Sequence, residues 1–373
     1  MAEHYRIAVI KGDGIGPEII DSAVRVLHKT AGIYGFEVAT DEYPAGGMAI
    51  DEYSTPLPGF TLEGAKGSDA VLLGAVGGPK WDGCDPSLRP EAALLSLRKE
   101  LGLYANLRPA VMFDELSCAS PVKNAASMDI MIVRELTGGI YFGENDSYMC
   151  PGILSDGTPM EEVAYDTESY SRGEIKRILK IAFELAAQRR KHLTLVDKAN
   201  VLRTSRMWRE IASEMSHGYR DVQLDYLYVD NCSMQLISRP SSFDTIVTSN
   251  MFGDILSDEA GQITGSVGML PSASLGRPGT PGMYEPIHGS APDIAGTGKA
   301  NPLASILSVA MMLRLQFGEN MAADAIENSV RKTLGQGYRT PDICYGSDNI
   351  KTVNNIGMTD AVISNLYKTE RLN

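Results

Sequence analysis

The sequence predicts an α/β fold of two domains, and three observations carry that prediction. At 373 residues the chain is longer than a single hydrophobic core usually extends, so two cores are expected. Short β-rich apolar runs alternate with longer helical patterns from one end to the other, the pattern of layered α/β architecture. With 43% hydrophobic and 22% charged residues, the composition is that of a globular enzyme rather than a disordered, fibrous or membrane chain.

Ile7–Ile10 reads as a strand and Pro17–Ala31 as a helix with apolar residues at helical spacing. Ala70–Leu73 is a short buried strand running into the Gly-rich segment Gly74–Pro79. Pro90–Leu101 is a helix with proline at its first turn. Ser171-Arg-Gly-Glu174 has the form of a capping box opening a long amphipathic helix to about Arg190. Strands are expected at His192–Val196, Gln223–Val229 and Thr245–Thr248, with helical patterns between them. Thr137–Pro159, rich in Gly, Tyr and turn residues, reads as a loop or arm. The chain is loop-rich from Gly265 to Gly298 and helical again from Leu303 to Phe317.

Net charge and cysteine usage exclude several classes. A formal charge of −13 argues against nucleic-acid binding, which needs clustered Lys and Arg. Met1–Ile10 lacks a signal peptide's basic and apolar regions, and no apolar run approaches a membrane span, so a cytoplasmic protein that binds no membrane is expected. Cys84, Cys118, Cys150, Cys232 and Cys344 are scattered and odd in number, which fits reduced, buried or inert thiols rather than a disulfide framework or a zinc site.

Several segments carry candidate chemistry. Gly12-Asp-Gly14-Ile-Gly16-Pro17 joins a strand to a helix, but proline occupies the last glycine position of the dinucleotide fingerprint, so it reads as a tight turn near a ligand. Asp254 and Asp258 lie four apart on an expected helix, their Cβ atoms about 5–6 Å apart, an arrangement that is unfavourable unless a cation bridges it. With Asp230, read as ending a strand, they form an oxygen set suited to Mg²⁺ or Mn²⁺; a solvated acidic face is the plainer alternative. Arg98, Arg108 and Arg134 sit in apolar contexts and need anionic partners, either internal carboxylates or a substrate. Lys198 and Asn200 follow a strand, where a desolvated lysine can act as a base, and Tyr141 can donate a proton. Glu285–Gly296 gathers small residues and His288 in one loop, as expected where backbone approaches a phosphate-bearing ligand, while His288 by itself reads first as a satisfied structural histidine.

Taken together, these segments resemble the β-decarboxylating dehydrogenases, the family of isocitrate, isopropylmalate, homoisocitrate and tartrate dehydrogenases. The resemblance runs nearly end to end, through the Gly12–Pro17 turn, the three arginines, Asp-Lys198-Ala-Asn200, Asn250-Met-Phe-Gly-Asp254-Ile-Leu-Ser-Asp258 and the Glu285–Gly296 loop. It implies a two-domain isopropylmalate/isocitrate dehydrogenase-like fold, not a Rossmann fold. Residues 1–103 and 265–373 would form one domain, which binds NAD, and residues 104–264 a central domain that makes a homodimer. Arg98, Arg108 and Arg134 would hold the malate carboxylates, and Asp230, Asp254 and Asp258 one Mg²⁺ or Mn²⁺. Lys198 as base and Asp230 would come from the partner subunit, with Tyr141 the proton donor.

The same resemblance directs substrate and cofactor choice. Leu94 and Leu95 stand where isocitrate enzymes place polar residues, so an isopropyl group would meet an apolar wall; burying such a group contributes about 1.5–3 kcal/mol, while a carboxylate there would lack a partner. Glu91 matches a glutamate near the nicotinamide in isopropylmalate enzymes, and Gly77-Gly78-Pro-Lys-Trp81-Asp82 has that subfamily's form. Asp293-Ile294 favours NAD⁺, since a carboxylate accepts from ribose hydroxyls and repels a 2′-phosphate. His288, Gly289, Ser290, Ala291, Pro292 and Asn301 would line the adenosine. The implied reaction is oxidative decarboxylation of the branched 2-hydroxy diacid; a malate or tartrate enzyme and a catalytically silent subunit are the alternatives.

Overall fold

The alternation of apolar runs resolves into one sheet flanked by helices. The computed structural model describes residues 3–123, 125–150, 161–345 and 349–367. Strand β1 (His4–Gly12) passes through the Gly-rich turn into α1 (Gly16–Tyr34), which returns to β2 (Glu37–Glu42). Helix α1 forms because Ile19, Ile20, Ala23, Val26 and Leu27 share one face, and all five are buried against the sheet. Each larger side chain among them contributes about 1.5–3 kcal/mol. Helices α2 (Gly47–Tyr53) and α3 (Gly59–Lys66) precede β3 (Ala70–Ala75), which is buried at every residue. Helix α4 (Glu91–Glu100) begins directly after Pro90, as expected.

The central segment starts with an antiparallel pair, β4 (Ala105–Val111) and β5 (Asp129–Glu135), whose register sets Asn106 opposite Arg134 and Arg108 opposite Ile132. Strands β6 (Asn145–Cys150) and β7 (Glu161–Asp166) form a separate two-stranded ribbon. The expected arm at Thr137–Pro159 thus contains a 3₁₀ turn at Ile140–Phe142 and strand β6, while residues 151–159 lie outside the described residues. The capping box is present: Ser171 Oγ accepts from the Glu174 N–H at 3.2 Å, and Glu174 Oε2 accepts from the Ser171 N–H at 2.7 Å. It opens α5 (Arg172–Gln188). Then follow β8 (His192–Asp197), α6 (Arg203–Ser216), β9 (Gln223–Tyr228), α7 (Val229–Ser238), β10 (Thr245–Thr248) and α8 (Asn250–Ile263).

Two expectations are corrected here. The stretch from Gly265 to Gly298 is not only loop: it holds β11 (Pro271–Leu275) and β12 (Gly282–Pro286), adjacent strands in the middle of the sheet. Their Ser, Gly and Pro content hides them from propensity, but hydrogen bonding on both edges and burial fix them as strands. Asp230 does not end a strand; it lies in the first turn of α7, where a carboxylate suits the helix dipole. The C-terminal part adds α9 (Leu303–Leu315), buried almost all round, then α10 (Asn320–Gly335) and α11 (Asn355–Asn365).

The main sheet has ten strands in the order β2-β1-β3-β12-β11-β4-β5-β10-β8-β9. Strands from residues 4–75 and 271–286 fill one half and those from residues 105–248 the other, meeting at β11 and β4. That meeting is antiparallel and only three residue pairs long, Ala105–Leu107 against Ala273–Leu275. Cys84, Cys118, Cys232 and Cys344 are free, as expected, but only Cys232 is buried; Cys118 and Cys344 are exposed. The Cys150 side chain lies outside the described residues.

Candidate active site

A cleft of about 270 Å³ opens over the join between the two halves of the sheet. Alternation along β4 points Asn106 and Arg108 to the same face, and the β4–β5 register places Arg134 on that face too. Helix α4 delivers Arg98, which lines the cleft with the other two. Neither strand of this pair was anticipated, so nothing in the linear sequence brings the three arginines together.

Each guanidinium is held by hydrogen-bond partners, and Arg108 and Arg134 share Asp254 Oδ1. Arg98 Nη2 donates to Glu285 Oε1 at 2.8 Å, with Glu285 buried and Arg98 partly so. Arg108 donates from Nε to Asn106 Oδ1 at 2.6 Å, and from Nη1 to Ser257 Oγ at 2.6 Å and Asp254 Oδ1 at 3.2 Å. Arg134 donates from Nε to Asn250 Oδ1 at 3.0 Å and from Nη1 to Asp254 Oδ1. Asn106 is itself fixed, its Nδ2 donating to Ser272 Oγ at 2.9 Å and Ser274 Oγ at 3.2 Å on β11. Arg98 Nε, although buried, has no hydrogen-bond partner. An orphaned charged donor facing a cleft is costly without a ligand and fits a site that receives an anion.

The electrostatics follow from packing like charges into a low-dielectric cleft. Burial, and then the charge of Arg108, pushes Arg134 down to about 10. Burial works against the Asp254 carboxylate, but Arg134 and Arg108 outweigh it and hold the carboxyl below its ordinary value. Tyr141 Oη donates to Asp254 Oδ2 at 2.9 Å; burial and the Asp254 charge raise its pKa, so the phenol keeps its proton at neutral pH. Asp258 approaches Arg108 Nη1 at 3.5 Å, and Asp254 approaches the same atom. The cation that bridges the Asp254–Asp258 pair within this chain is therefore the Arg108 guanidinium.

The expected site residues do not all come together. Leu94, Leu95, Glu91, Arg98, Arg108, Arg134, Tyr141, Asp254, Glu285, His288 and Gly289 line the cleft. The loop residues Gly77 and Ser290 are tied together, Ser290 Oγ donating to Gly77 O at 2.8 Å, while Ala291, Pro292, Asp293 and Ile294 continue away from the cleft, with Pro292 and Asp293 exposed. Gly78 lies outside the cleft lining, against the Trp81 ring. The Asn301 side chain is used internally, donating to Asp342 Oδ2 at 3.0 Å and accepting from the Leu303 N–H at 3.0 Å. Lys198 and Asp230 form an ion pair outside the cleft. Among the described residues of one chain, no group of three His, Cys, Asp or Glu side chains gathers as a metal site.

Sequence reading missed the residues that orient the arginines. Asn106 stands two before Arg108 on a strand, and Asn250 four before Asp254 on a helix, so each period carried a signal once the element was known. Asp13 was also missed: buried in the Gly-rich turn, it accepts from the N–H groups of Gly47, Met48 and Gly77 at 2.8, 2.8 and 2.9 Å. It thereby ties the turn to the first turn of α2 and to the Gly77 loop. Gly14 in the same turn has φ +57°, and a Cβ there would lie 2.0 Å from Ser290 O.

With this geometry in place, comparison with known proteins gives one answer. The family model described as isocitrate/isopropylmalate dehydrogenase matches residues 6–362. The chain is 54% identical to the 3-isopropylmalate dehydrogenase of Aquifex aeolicus over 98% of both chains. It is 56% identical to that of Clostridium acetobutylicum, covering 94% of this chain and 97% of the relative. Among solved structures, the isocitrate dehydrogenase of Methylococcus capsulatus superposes with a TM-score of 0.82 at 35% identity, over 97% of this chain and 99% of the other. The β-decarboxylating dehydrogenase of Thermococcus kodakarensis gives 0.77 at 35% identity, over 97% and 96%.

Helix α8 reaches the arginines only because Gly253 has no side chain: a Cβ there would lie 2.7 Å from Arg134 Cβ and Cγ. Gly253→Ala is expected to cost about 1–3 kcal/mol of stability through overpacking and to raise the KM for substrate. Urea denaturation and steady-state kinetics check this; an unchanged midpoint and KM would mean that α8 is not tightly seated on Arg134.

Proposed function

The chain belongs to the isocitrate/isopropylmalate dehydrogenase family, and we propose that the cleft over β4, β5 and α8 is its active site. It is an oxidoreductase that oxidatively decarboxylates 3-isopropylmalate, a step of leucine biosynthesis. The observation that supports this cleft is the convergence of Arg98, Arg108 and Arg134, with the buried Arg98 Nε unpaired. In the proposed site the two carboxylates of the malate unit lie on these arginines, where bidentate guanidinium–carboxylate contacts fix orientation as well as charge. Leu94 and Leu95 border the same cleft and receive the isopropyl group.

The donor set suits the expected cofactors. Asp254, held ionised, and Asp258 present hard oxygens one helical turn apart, as a divalent cation requires. We assign Asp254, Asp258 and a second copy's Asp230 to Mg²⁺ or Mn²⁺, with Lys198 beside Asp230 carried into the cleft by the same copy. The exposed apolar side chains of Met234 and Ile237 on α7 and Ile255 on α8 support a homodimer through that face. Exposed Asp293 supports NAD⁺ binding at the Glu285–Gly296 loop, and Gly289 faces open space there. The order of strands supports a domain of residues 1–103 and 265–373 and another of 104–264. Among the described residues no helix is long and apolar enough to cross a membrane, and we place the enzyme in the cytoplasm.

When bound, the metal supplies polarisation of the C2 oxygen, and NAD⁺ supplies the hydride acceptor. The protein's own groups do the rest. The arginines hold the carboxylates and exclude water from them. Lys198 of the second copy takes the C2 hydroxyl proton, and the β-carboxyl leaves as CO₂ once C2 is a ketone. Tyr141, protonated and hydrogen-bonded to Asp254, returns a proton to C3 of the resulting enolate, giving 4-methyl-2-oxopentanoate.

The decisive assay follows NADH formation with Mg²⁺ and NAD⁺ on 3-isopropylmalate, D-malate, tartrate and isocitrate. A preference for 3-isopropylmalate of tenfold or more, about 1.4 kcal/mol of transition-state binding, is expected in kcat/KM. Preference for malate or tartrate would keep the chemistry and overturn the substrate, and inactivity on all four would point to a silent subunit. The shared site has its own test: Lys198→Ala and Arg134→Met are each expected to be inactive, and refolding the two together should restore activity through mixed dimers. If the mixture stays inactive while each variant remains dimeric, Lys198 does not act across the interface.

A further inference from the structure

The face of the sheet opposite the active site carries a second and larger cleft, of about 550 Å³. The two cavities are the two sides of the same strands. Along β4, Asn106 and Arg108 face the first, while Leu107, Pro109 and Val111 line the second. Along β11, Ser272 faces the first and Pro271 the second. The second cleft opens where the sheet itself comes apart. The antiparallel β4–β11 ladder stops after Leu107–Ala273, and the next outward-matching position would set Pro109 against Pro271. Neither residue has an N–H to donate, so the ladder cannot continue past them. The gap is bounded by Met131 of β5 from one half of the sheet and by Met269, Leu307 and Met311 from the other.

Among the described residues, one cation at this cleft has no carboxylate partner. Of its cations, Arg189 is paired with Asp129 at 2.8 Å and Asp244 at 2.9 Å, and Arg314 with Asp324 at 2.9 Å and Glu327 at 2.7 Å. Arg331 on α10 rests over the Phe113 ring, its Cζ 5.0 Å from the centroid, and among the described residues no carboxylate pairs with it. The cleft thus offers an apolar body of adaptable methionines and leucines with a single free guanidinium at its edge. We propose that this seam is a second ligand site, taking a small monocarboxylate with an apolar body, and that filling it changes substrate binding across β4. The carboxylate lies on Arg331 and the body enters the gap behind Pro109. Coupling follows because Pro109 adjoins Arg108, and because an occupant touches both halves of the sheet where three residue pairs join them.

Octanoate is the probe. Calorimetric titration of the full chain is expected to give saturable binding at one site per chain, weakened at least tenfold in Arg331→Met and abolished in Met311→Trp, whose indole fills the gap. Saturating octanoate should shift the KM for 3-isopropylmalate at least twofold in the unsubstituted enzyme and leave it unchanged in Met311→Trp. Arg331 is exposed, so its replacement leaves the fold and the basal activity intact. Absence of saturable binding, or binding that both variants leave intact, overturns the site. Binding lost in the variants with no shift in KM overturns the coupling. Because the titration does not depend on turnover, its failure is distinguishable from failure of the catalytic reading.

Discussion

Three guanidinium groups that cannot leave one cleft set the terms for everything around them. Arg108 and Arg134 are nearly inaccessible to solvent; besides burial, the charge of Arg98 disfavours that of Arg108, and the charge of Arg108 disfavours that of Arg134. Such a cluster is tolerable only where anions and oriented dipoles replace the lost water. Asp254 answers two of the three, Glu285 the third, and Asn106, Asn250 and Ser257 accept or orient the remaining N–H groups. Arg98 Nε alone is left without a partner in this cluster, and in the proposed site a substrate carboxylate would supply one. In the proposed site stability and function would be joined, since the same cations that burden the folded chain would provide its affinity for a diacid.

The sheet is built to hold that cluster. Four of its elements, β4, β5, α4 and α8, come from separate stretches of chain, and each brings one or two of the charged groups. The antiparallel insertion of β11 and β4 between parallel strands creates the join at which the cleft opens, and β11 returns two serine hydroxyls to fix Asn106. Charge opposition between Asp254 and Asp258 is relieved by Arg108 in the single chain. A divalent cation would relieve it more completely, freeing Arg108 for the substrate.

Local signals were legible in the sequence wherever a segment's own chemistry decided its structure. Helix α1, the Ser171–Glu174 capping box and the apolar strands β3, β8 and β10 stand where periodicity placed them. Strands β11 and β12 were hidden because their small, polar and proline residues are held by pairing on both edges rather than by propensity. The candidate site was legible as a set of residue types but not as a place. Arg108 and Arg134 converge through a register that no linear pattern reveals, and Asp13, an unremarked carboxylate between two glycines, proves to tie its turn to the start of α2 and to the Gly77 loop through three backbone N–H groups. The Lys198–Asp230 pair stands apart from the other acids, a separation that sequence spacing cannot express.

The most direct test of the arginine cluster as the substrate's seat is a crystal structure of the enzyme with 3-isopropylmalate, Mg²⁺ and NAD⁺. Both carboxylates are expected on Arg98, Arg108 and Arg134, with Arg98 Nε donating to one of them and the isopropyl group against Leu94 and Leu95. A substrate bound elsewhere, with Arg98 Nε still unpaired, would contradict it.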